Sequence, residues 1–308
     1  QQVSSAASDV YKRQGIDKPN QISENAIDII KKSDPPLLVE RSRIDHIKPG
    51  NLDDDFNEIK DADWVIEAVV ERIDIKHKLY SQIDKVRSPN SIISSNTSTI
   101  PLSILTQEMS DSMKADFCIT HFFNPVRFMR LLEIVETPTM NKDKMDGLRD
   151  FCKNELGKGI VNCNDTPGFI GNRIGVYAMQ VAMYEALERG LPVEIADALF
   201  GRPLGIPKTG VFGLYDLIGI DLMKDVLASF KKELQENDPF MDVVKPHPLV
   251  EQLLEKGFNG NKGPGGFYQT TIVEGDEHVK AMNTSDMSYY DFDKVDLEIA
   301  RRVEKEGI

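Results

Sequence analysis

The stretch DWVIEAVVERIDIKHKLYSQIDKVRSPNSIISS, residues 63–95, contains the pattern that decides the fold. It opens with a mostly apolar run over 64–70, continues into a predicted helix from about Asp74 to Val86, and returns to an apolar strand over 91–95. Strands that are buried on both faces of a sheet tend to be continuously apolar. A strand, a helix and a second strand at this spacing predict a parallel sheet with right-handed crossovers.

Polar side chains stand at the carboxyl ends of these predicted strands. A helix is predicted over residues 101–109 and a third strand over 116–121. In open parallel sheets, ligands bind outside the carboxyl ends of the strands. The sequence therefore predicts a site at this edge of the sheet. Its members are Glu71, Asn96, Ser98 and His121.

The segment FCITHFFNPVRFMRLLEIV, residues 117–135, indicates the chemistry of that site. His121 ends a strand-like run, a turn follows at Asn124, and Glu133 lies twelve positions after the histidine in a second apolar run. A buried carboxylate beside an imidazole fixes its tautomer and stabilises its protonated form, as a general base near neutral pH requires. The alternative is that Glu133 pairs with an arginine of the same segment, Arg127 or Arg130.

The second half of the chain has the pattern of a helical domain. Pro167 stands just inside a helix start, and the helix is expected to run to about Arg189, where Gly190 ends it. Further helical patterns follow at about 193–200, 210–234 and 248–256. A glycine-rich loop comes next at 257–268, and beyond Thr270 the polar, acidic chain is expected to be a linker that leads into a final helix.

Composition limits the classes of partner. The 308 residues suffice for two ordinary domains, and 40% hydrophobic with 28% charged residues is typical of a globular protein. A formal net charge of -13 argues against nucleic acid and anionic membranes as partners. Three cysteines without CxxC spacing predict neither a disulfide framework nor a metal site, and they favour a reducing compartment. No apolar run approaches the ~18 residues of a membrane span.

Four motifs, in this order and spacing, resemble the 3-hydroxyacyl-CoA dehydrogenase family. They are SSNTSTI (94–100), HFFNPVRFMRLLEIVE (121–136), DTPGFIGNR (165–173) and NKGPGGFY (261–268). The resemblance covers roughly residues 21–268. The stretches PGNLDDDF and DWVIEAVVER look most like the bacterial multifunctional branch of the family. In that branch the dehydrogenase is fused to an enoyl-CoA hydratase-like domain.

The resemblance implies NAD-dependent oxidation of (S)-3-hydroxyacyl-CoA to 3-oxoacyl-CoA in fatty-acid β-oxidation, in the bacterial cytoplasm. It implies that His121 takes the 3-hydroxyl proton and that Glu133 orients the imidazole. Ser98 and Asn172 would hydrogen-bond the substrate oxygens. The positions that it implies near the cofactor are Glu71, Lys76, Asn96, Asn124 and Lys262. NAD rather than NADP, and pairing of the helical domain with a second copy or with an internal repeat, also follow from the resemblance alone.

Several of these residues have a purely structural alternative. Ser98 can cap the helix that follows it, and Asn172 can be an ordinary first-turn residue. Glu71 and Lys76 can form a surface pair, although a spacing of five residues is unfavourable for a pair within one helix. The glycines at 257–268 can form a flexible turn, which would leave Lys262 without a cofactor role.

One feature of the family is missing. The sequence contains no GxGxxG fingerprint, the glycine-rich turn that holds a dinucleotide pyrophosphate at a helix start. Residues 1–14 have no apolar period and resemble a translated sequencing adapter, so we expect them to be non-native; an ordinary polar tail is the alternative. We expect the natural protein to carry the missing βαβ unit, and this chain without it to be inactive and to bind NAD poorly.

The sequence thus predicts an α/β fold, with a Rossmann-like, mostly parallel sheet followed by an all-α domain. The predicted parts are an incomplete NAD-binding domain (15–161), a helical substrate and dimerisation domain (162–270), and a linker with the start of a further helical domain (271–308). The sequence also permits two alternative functions. One is a related hydroxy-acid dehydrogenase that does not use CoA, and the other is a catalytically silent binding or structural homologue.

Overall fold

A computed structural model describes residues 19–201, 209–245, 247–273 and 276–293, together with residues 295, 298, 301, 302 and 305. The chain divides into two compact units, of which the first ends at Ile170 and the second begins at Gly171. The predicted boundary after residue 161 lies nine residues before this division. The predicted non-native segment at 1–14 and most of the final helical run fall outside the described residues.

The first unit is built on a five-stranded sheet with the strand order β1-β2-β3-β4-β5. Strands β1, β2 and β3 are parallel, β4 is antiparallel to β3, and β5 is parallel to β4. The predicted Rossmann-like, mostly parallel sheet is confirmed. The strands are β1 (Trp64–Glu67), β2 (Ile92–Ser95), β3 (Phe117–Phe122), β4 (Leu131–Glu136) and β5 (Gly159–Asn162).

Helices cover both faces of this sheet. The described helices of this unit are α1 (Gln21–Lys32), α2 (Ile73–Val86), α3 (Leu102–Leu105), α4 (Asp111–Lys114) and α5 (Lys142–Asn154), with 3-10 turns at Arg41–His46 and Phe56–Asp61. Buried residues of α2, α3 and α4 pack on one face of the sheet and those of α5 pack on the other. Side chains cap two of the helix starts: Ser110 accepts from the Met113 amide and Asn141 from the Lys144 amide. Each such cap satisfies a backbone N–H that lacks a partner within the helix.

Alternation along β3 divides the core into two layers. Phe117 and Ile119 pack with α2 residues such as Leu79 on one face, whereas Cys118 packs with α5 residues such as Met145 on the other. Successive side chains of a strand point to opposite faces, so a fully apolar strand requires cover on both sides. The predicted apolar strand run therefore corresponds to a three-layer α/β unit.

The antiparallel pairing of β3 with β4 places Glu133 directly opposite His121. Only residues 123–130 separate the two strands, which is too short for a parallel crossover. The Lys158 ammonium holds this connection, because it donates to the carbonyl oxygens of Val126 and Met129. The chain therefore returns beside β3, and the two strands run past each other with their side chains directly opposite.

The second unit is mainly helical, which confirms the predicted helical domain. Gly190, at a φ of 64°, follows the end of α6, as a left-handed residue after a helix commonly does. The helices pack around buried aromatic side chains, among them Phe212, Tyr215 and Phe230. They are α6 (Gly171–Glu188), α7 (Val193–Leu199), α8 (Phe212–Ile218), α9 (Ile220–Glu233) and α10 (Pro248–Glu255), with a 3-10 turn at Pro239–Asp242.

A three-stranded antiparallel sheet completes this unit and corrects one prediction. Strands β6 (Tyr268–Val273), β7 (Asp276–Met282) and β8 (Tyr289–Tyr290) occupy most of the segment that was expected to be a linker. Ala281 and Met282 at the end of β7 are fully buried in the helical core. The polar composition of this segment reflects the exposed first part of the hairpin, whereas its second part is anchored, so a linker over 271–293 is wrong.

Candidate active site

Strand register brings His121 and Glu133 together. The two residues lie directly opposite each other in the antiparallel β3–β4 pair. Nδ1 of His121 is 2.7 Å from Oε2 of Glu133. Glu133 is fully buried and His121 is 5% exposed. The alternative pairing with an arginine is not observed for Arg127, whose guanidinium instead donates to the carbonyl oxygens of Pro36 and Leu38.

Both the carboxylate and the imidazole are held from several sides. Oε1 of Glu133 accepts the Ile170 amide at 2.9 Å and lies 3.6 Å from the Cys163 thiol. The His121 ring lies between two aromatic rings, with centroid distances of 4.5 Å to Phe123 and 5.6 Å to Phe169. Packing and hydrogen bonds therefore fix the plane of the imidazole, and the carboxylate fixes its tautomer with the proton on Nδ1.

This arrangement leaves Nε2 of His121 as the ring nitrogen that a ligand can reach. Within the described residues no side chain or backbone group hydrogen-bonds this nitrogen. An imidazole whose Nδ1–H donates to a buried carboxylate can accept a proton on Nε2, and the imidazolium that results is stabilised by the adjacent charge. The pair can therefore act as a general base towards a substrate hydroxyl, or as a general acid towards a carbonyl oxygen in the reverse direction.

A second carboxylate organises the loop that carries Ser98. Oε1 of Glu71 accepts the Ser98 amide at 3.1 Å, the Thr99 amide at 3.4 Å, and the hydroxyls of Thr97 and Thr99. The Lys76 ammonium is 3.2 Å from Oε2. Burial raises the pKa of Glu71, but Lys76 and the hydrogen bonds from Thr97 and Ser98 outweigh it and hold the pKa below its usual value. Glu71 is therefore a carboxylate that fixes the backbone at Ser98.

Lys76 is completely buried beneath this loop. Its ammonium donates to both carboxylate oxygens of Glu67, at 2.8 and 3.0 Å. Glu67 also accepts the hydroxyls of Tyr80 and Ser95. The sequence argument against a pair between Glu71 and Lys76 fails, because Glu71 precedes the helix and helical spacing does not apply to it. The Lys76 side chain is buried whereas the Glu71 side chain is 36% exposed, so the pair joins the interior to the surface.

The remaining predicted residues of the first unit are placed as follows. Asn96 directly follows β2, and its Oδ1 accepts the Phe122 amide at 3.0 Å, which ties the end of β2 to the end of β3. Asn124 is exposed. Ser98 does not cap the next helix, because the Asp165 carboxylate accepts the Leu102 and Ser103 amides there. The structure thus brings Glu71, Lys76, Asn96, Ser98, His121 and Glu133 to one edge of the sheet.

Two predicted residues belong to the second unit. Asn172 is the second residue of α6. Lys262 lies in the glycine-rich loop, with its ammonium 3.6 Å from a carboxylate oxygen of Asp221. That loop is not merely a flexible turn, because the carboxylate of buried Asp216 accepts the amides of Phe267 at 2.9 Å and Tyr268 at 2.7 Å.

Sequence reasoning missed the residues that support the site. Glu67, Cys163, the ring of Phe169 and the backbone amide of Ile170 all contact a predicted site residue or its partner. Their signal was present in the quoted motifs, since Glu67 belongs to the strand run 64–70 and the others stand in or beside 165–173. The motifs indicated which segments contribute to the site, and the fold determines which of their atoms make contact.

Comparison with known families gives two matches that together span most of the chain. Residues 6–166 match the model described as 3-hydroxyacyl-CoA dehydrogenase, NAD binding domain. Residues 168–270 match the model described as 3-hydroxyacyl-CoA dehydrogenase, C-terminal domain. The first match contains His121 and Glu133, and the second contains Asn172 and Lys262.

Individual relatives agree with these matches. A Rickettsia felis protein named "Putative fatty acid oxidation complex trifunctional enzyme" is 40% identical over 281 residues, 91% of this chain and 39% of that protein. Rat mitochondrial hydroxyacyl-coenzyme A dehydrogenase is 34% identical over 213 residues, 68% of this chain and 65% of that protein. The crystal structure of 3-hydroxybutyryl-CoA dehydrogenase from Escherichia coli superposes with a TM-score of 0.68 at 28% identity, covering 81% of this chain and 52% of that one. The chain spans about two fifths, 39%, of the length of the two Rickettsia relatives.

Proposed function

The chain belongs to the 3-hydroxyacyl-CoA dehydrogenase family, and from that premise we propose that it oxidises (S)-3-hydroxyacyl-CoA to 3-oxoacyl-CoA with NAD, as a step of fatty-acid β-oxidation. The observation that carries the proposal is the buried pair of His121 and Glu133, with 2.7 Å between Nδ1 and Oε2. The pair lies at the carboxyl end of β3, where open α/β sheets bind their ligands.

His121 is the base of the proposed reaction. Its Nε2 removes the proton of the substrate's 3-hydroxyl as the hydride leaves C3. Glu133 stabilises the imidazolium that forms and keeps the proton of the neutral ring on Nδ1. In the reverse direction the same imidazolium donates to the ketone oxygen. Placing a proton acceptor at a fixed atom also selects one orientation of the hydroxyl, and hence the face of C3 from which hydride departs.

The residues present fit the nicotinamide half of a dinucleotide. The Glu71 side chain is 36% exposed, and carboxylate oxygens are the acceptors that ribose hydroxyls require. The Asn96 amide uses its oxygen within the protein, at the Phe122 amide. Its NH2 group can donate to a carboxamide or a sugar oxygen. When bound, NAD supplies the hydride acceptor.

The other predicted residues have narrower proposed roles. Ser98 hydrogen-bonds the substrate oxygen from the loop that Glu71 fixes. Lys76 acts through its ion pairs with Glu67 and Glu71, because its side chain is buried. Asn172 contributes a second hydrogen bond to the substrate. Asn124 and Lys262 contact the cofactor, Asn124 from the exposed turn after β3 and Lys262 from the glycine-rich loop.

The helical unit presents a surface for pairing. Ile174, Tyr177 and Val181 stand at helical spacing on α6 and are 66%, 41% and 37% exposed. Apolar side chains grouped in this way mark interaction sites more often than isolated ones do. The proposed partner of this surface is a second helical unit, from another copy or from a repeat in the same chain.

The proposed location of the protein is the bacterial cytoplasm. The three cysteines are free, which agrees with a reducing compartment.

The test is NADH consumption with acetoacetyl-CoA, measured on the protein expressed from its full open reading frame. We expect turnover with the thioester and much slower turnover with free acetoacetate. Equal rates with the free acid would show that the enzyme acts on hydroxy acids without CoA. A folded protein that binds NADH but turns over neither substrate would contradict the proposed activity and favour a silent homologue.

As the chain's sequence contains no GxGxxG turn, isothermal titration of the 308-residue chain with NAD is expected to show weak binding or none. The full reading frame serves as the matched comparison. Micromolar binding by the 308-residue chain would contradict this expectation.

Among the described residues, no helix is both long enough and apolar enough to cross a membrane.

A further inference from the structure

Both carboxylate oxygens of Glu133 have hydrogen-bond partners. Oε2 faces His121, while Oε1 accepts the Ile170 amide at 2.9 Å and lies 3.6 Å from Sγ of Cys163. A thiol at this distance from a carboxylate donates its hydrogen to it, since a carboxylate has only acceptor atoms. The other acceptor near the same sulfur is the Val161 carbonyl oxygen at 3.7 Å, which is uncharged and slightly farther away.

An unusual backbone conformation places the Ile170 amide. Phe169 has a φ of 49°, a left-handed conformation that bulky residues rarely adopt, and it follows Gly168 at 73°. These two residues turn the chain so that the Phe169 ring packs against His121 and the next amide reaches Glu133. Strain of this kind persists where the surrounding structure holds it, and it concentrates at functional sites.

The Cys163 thiol has no feature of a nucleophile or redox sensor. Burial, reinforced by the Glu133 charge and by the hydrogen bond to that carboxylate, raises the pKa of the thiol to about 12. Reactive cysteines require a stabilised thiolate, and this environment does the opposite. The group is therefore a hydrogen-bond donor at neutral pH. Of its two acceptors within the described part of the chain, the charged one is the Glu133 carboxylate.

We propose that Cys163, together with the Ile170 amide, is a positioning residue that fixes the Glu133 carboxylate so that Oε2 stays aimed at Nδ1 of His121. A carboxylate anchored through one oxygen alone can rotate about its terminal torsion, which is broad and weakly restrained. Donors on Oε1 remove that freedom. The proposal rests on the proposed function of His121, because positioning matters only if the imidazole transfers a proton.

The test compares Cys163→Ala with Cys163→Ser, which keeps a donor, and with Cys152→Ala as a matched control. Cys152 is fully buried in α5, so its truncation removes a thiol and creates a small cavity away from the hydrogen bonds of Glu133. The first readout is the proton NMR signal of the His121 Nδ1–H, assigned by its loss in His121→Gln. It requires neither cofactor nor turnover, so it can be measured on the full chain whatever the reaction is.

We expect the Nδ1–H signal to move upfield and to exchange faster with water in Cys163→Ala, to be restored in Cys163→Ser, and to be unchanged in Cys152→Ala. In the enzymatic assay, kcat should fall about three- to tenfold in Cys163→Ala with little change in KM, as the loss of one hydrogen bond from a weak thiol donor implies. An unchanged signal in Cys163→Ala, or a signal that serine does not restore, would overturn the proposal. Absence of turnover in the unsubstituted protein would refute the proposed function while leaving the NMR result valid.

Discussion

Two buried carboxylates, one in each unit, show what distinguishes a chemical site from a structural one. Glu133 of the first unit gives one oxygen to His121 and the other to the Ile170 amide and the Cys163 thiol. Asp216 of the second unit gives one oxygen to the Phe267 amide and the other to the Tyr268 amide. Both are deeply buried and both accept backbone N–H groups.

The difference lies in the partner rather than in the burial. An imidazole can transfer a proton, so a carboxylate that orients one has the position that the proposed reaction requires. Backbone amides cannot, and the two that Asp216 accepts hold the end of the glycine-rich loop. Burial raises the pKa of Asp216 to about 7, against the opposing effect of its two amide donors. A perturbed carboxyl is therefore not by itself a sign of an active site.

The largest expected effect is the loss of activity on substitution of His121 in the first unit. Replacing His121 with Gln keeps the size of the side chain but removes the proton acceptor. We expect kcat to fall roughly 10²–10⁴-fold, the usual contribution of a general base, with little change in thermal stability. Steady-state kinetics and a thermal melt check this. A loss of less than about fivefold in a folded variant would show that His121 is not the base.

Replacing Glu133 with Gln is the next largest change. The amide can still accept the Ile170 N–H, but it carries no charge to stabilise the imidazolium. We expect a loss in kcat on the order of 10²-fold, with KM much less affected. Glu136, at the end of the same strand and paired with Arg149, provides the control as Glu136→Gln. Equal losses in the two variants would mean that the effect is general to β4.

The corresponding change in the second unit, Asp216→Asn, should reduce stability instead of chemistry. An asparagine must turn its NH2 group towards one of the two amides that Asp216 accepts, so we expect a loss of about 1–3 kcal/mol in the free energy of unfolding. Urea titration above pH 7, where the Asp216 carboxyl is ionised, measures it. The residual native fraction should retain its kcat, and a large loss of kcat at full stability would give Asp216 a direct role in the reaction.

The same variant gives a pH dependence of definite sign. The folded-state pKa of Asp216 is raised from 3.8 to about 7, so the native state keeps a proton that the unfolded chain releases. This contribution to stability is present below about pH 4 and is lost as the pH rises through 7. The stability gap between wild type and Asp216→Asn should therefore narrow between pH 4 and pH 7. A stability gap that widens between pH 4 and pH 7 would contradict a raised pKa of Asp216 in the folded state.

The smallest expected effect concerns Tyr268, whose hydroxyl donates to Asp197 at 2.9 Å. In Tyr268→Phe the aspartate keeps its bonds to the Phe212 and Gly213 amides at the start of α8. We expect a loss of about 0.5–1.5 kcal/mol in the free energy of unfolding. A loss above about 3 kcal/mol would show that the hydroxyl, and not the two amides, is the main partner of Asp197.

The sequence was sufficient to predict those parts of the candidate site that local patterns place at the ends of strands. Apolar runs that end in polar residues at Glu71, Asn96 and His121 predicted one edge of a parallel sheet, because the carboxyl ends of parallel strands coincide. The pairing of His121 with Glu133 was also predicted, since both stand in strand-like runs of one short segment. The structure adds the register that makes them direct neighbours.

Contacts that depend on tertiary geometry could not be predicted in the same way. The strand residues beyond Thr270 were predicted to be a linker because the exposed half of the hairpin is polar, and only packing against the helical core reveals the buried pair Ala281 and Met282. Burial of Lys76 between Glu67 and Glu71 was equally hidden, because three charges close in sequence look like an exposed face. Neither feature has a periodicity that a single sequence displays.

The most direct test of the account is a double-mutant cycle on kcat with His121→Gln, Glu133→Gln and the double variant. If Glu133 acts only through His121, its substitution should cost nothing once the imidazole is gone, so the double variant should be as active as His121→Gln alone. The contradicting result is a double variant that is slower than His121→Gln by the full factor that Glu133→Gln alone causes. Such independent losses would show that the two residues do not form one catalytic unit.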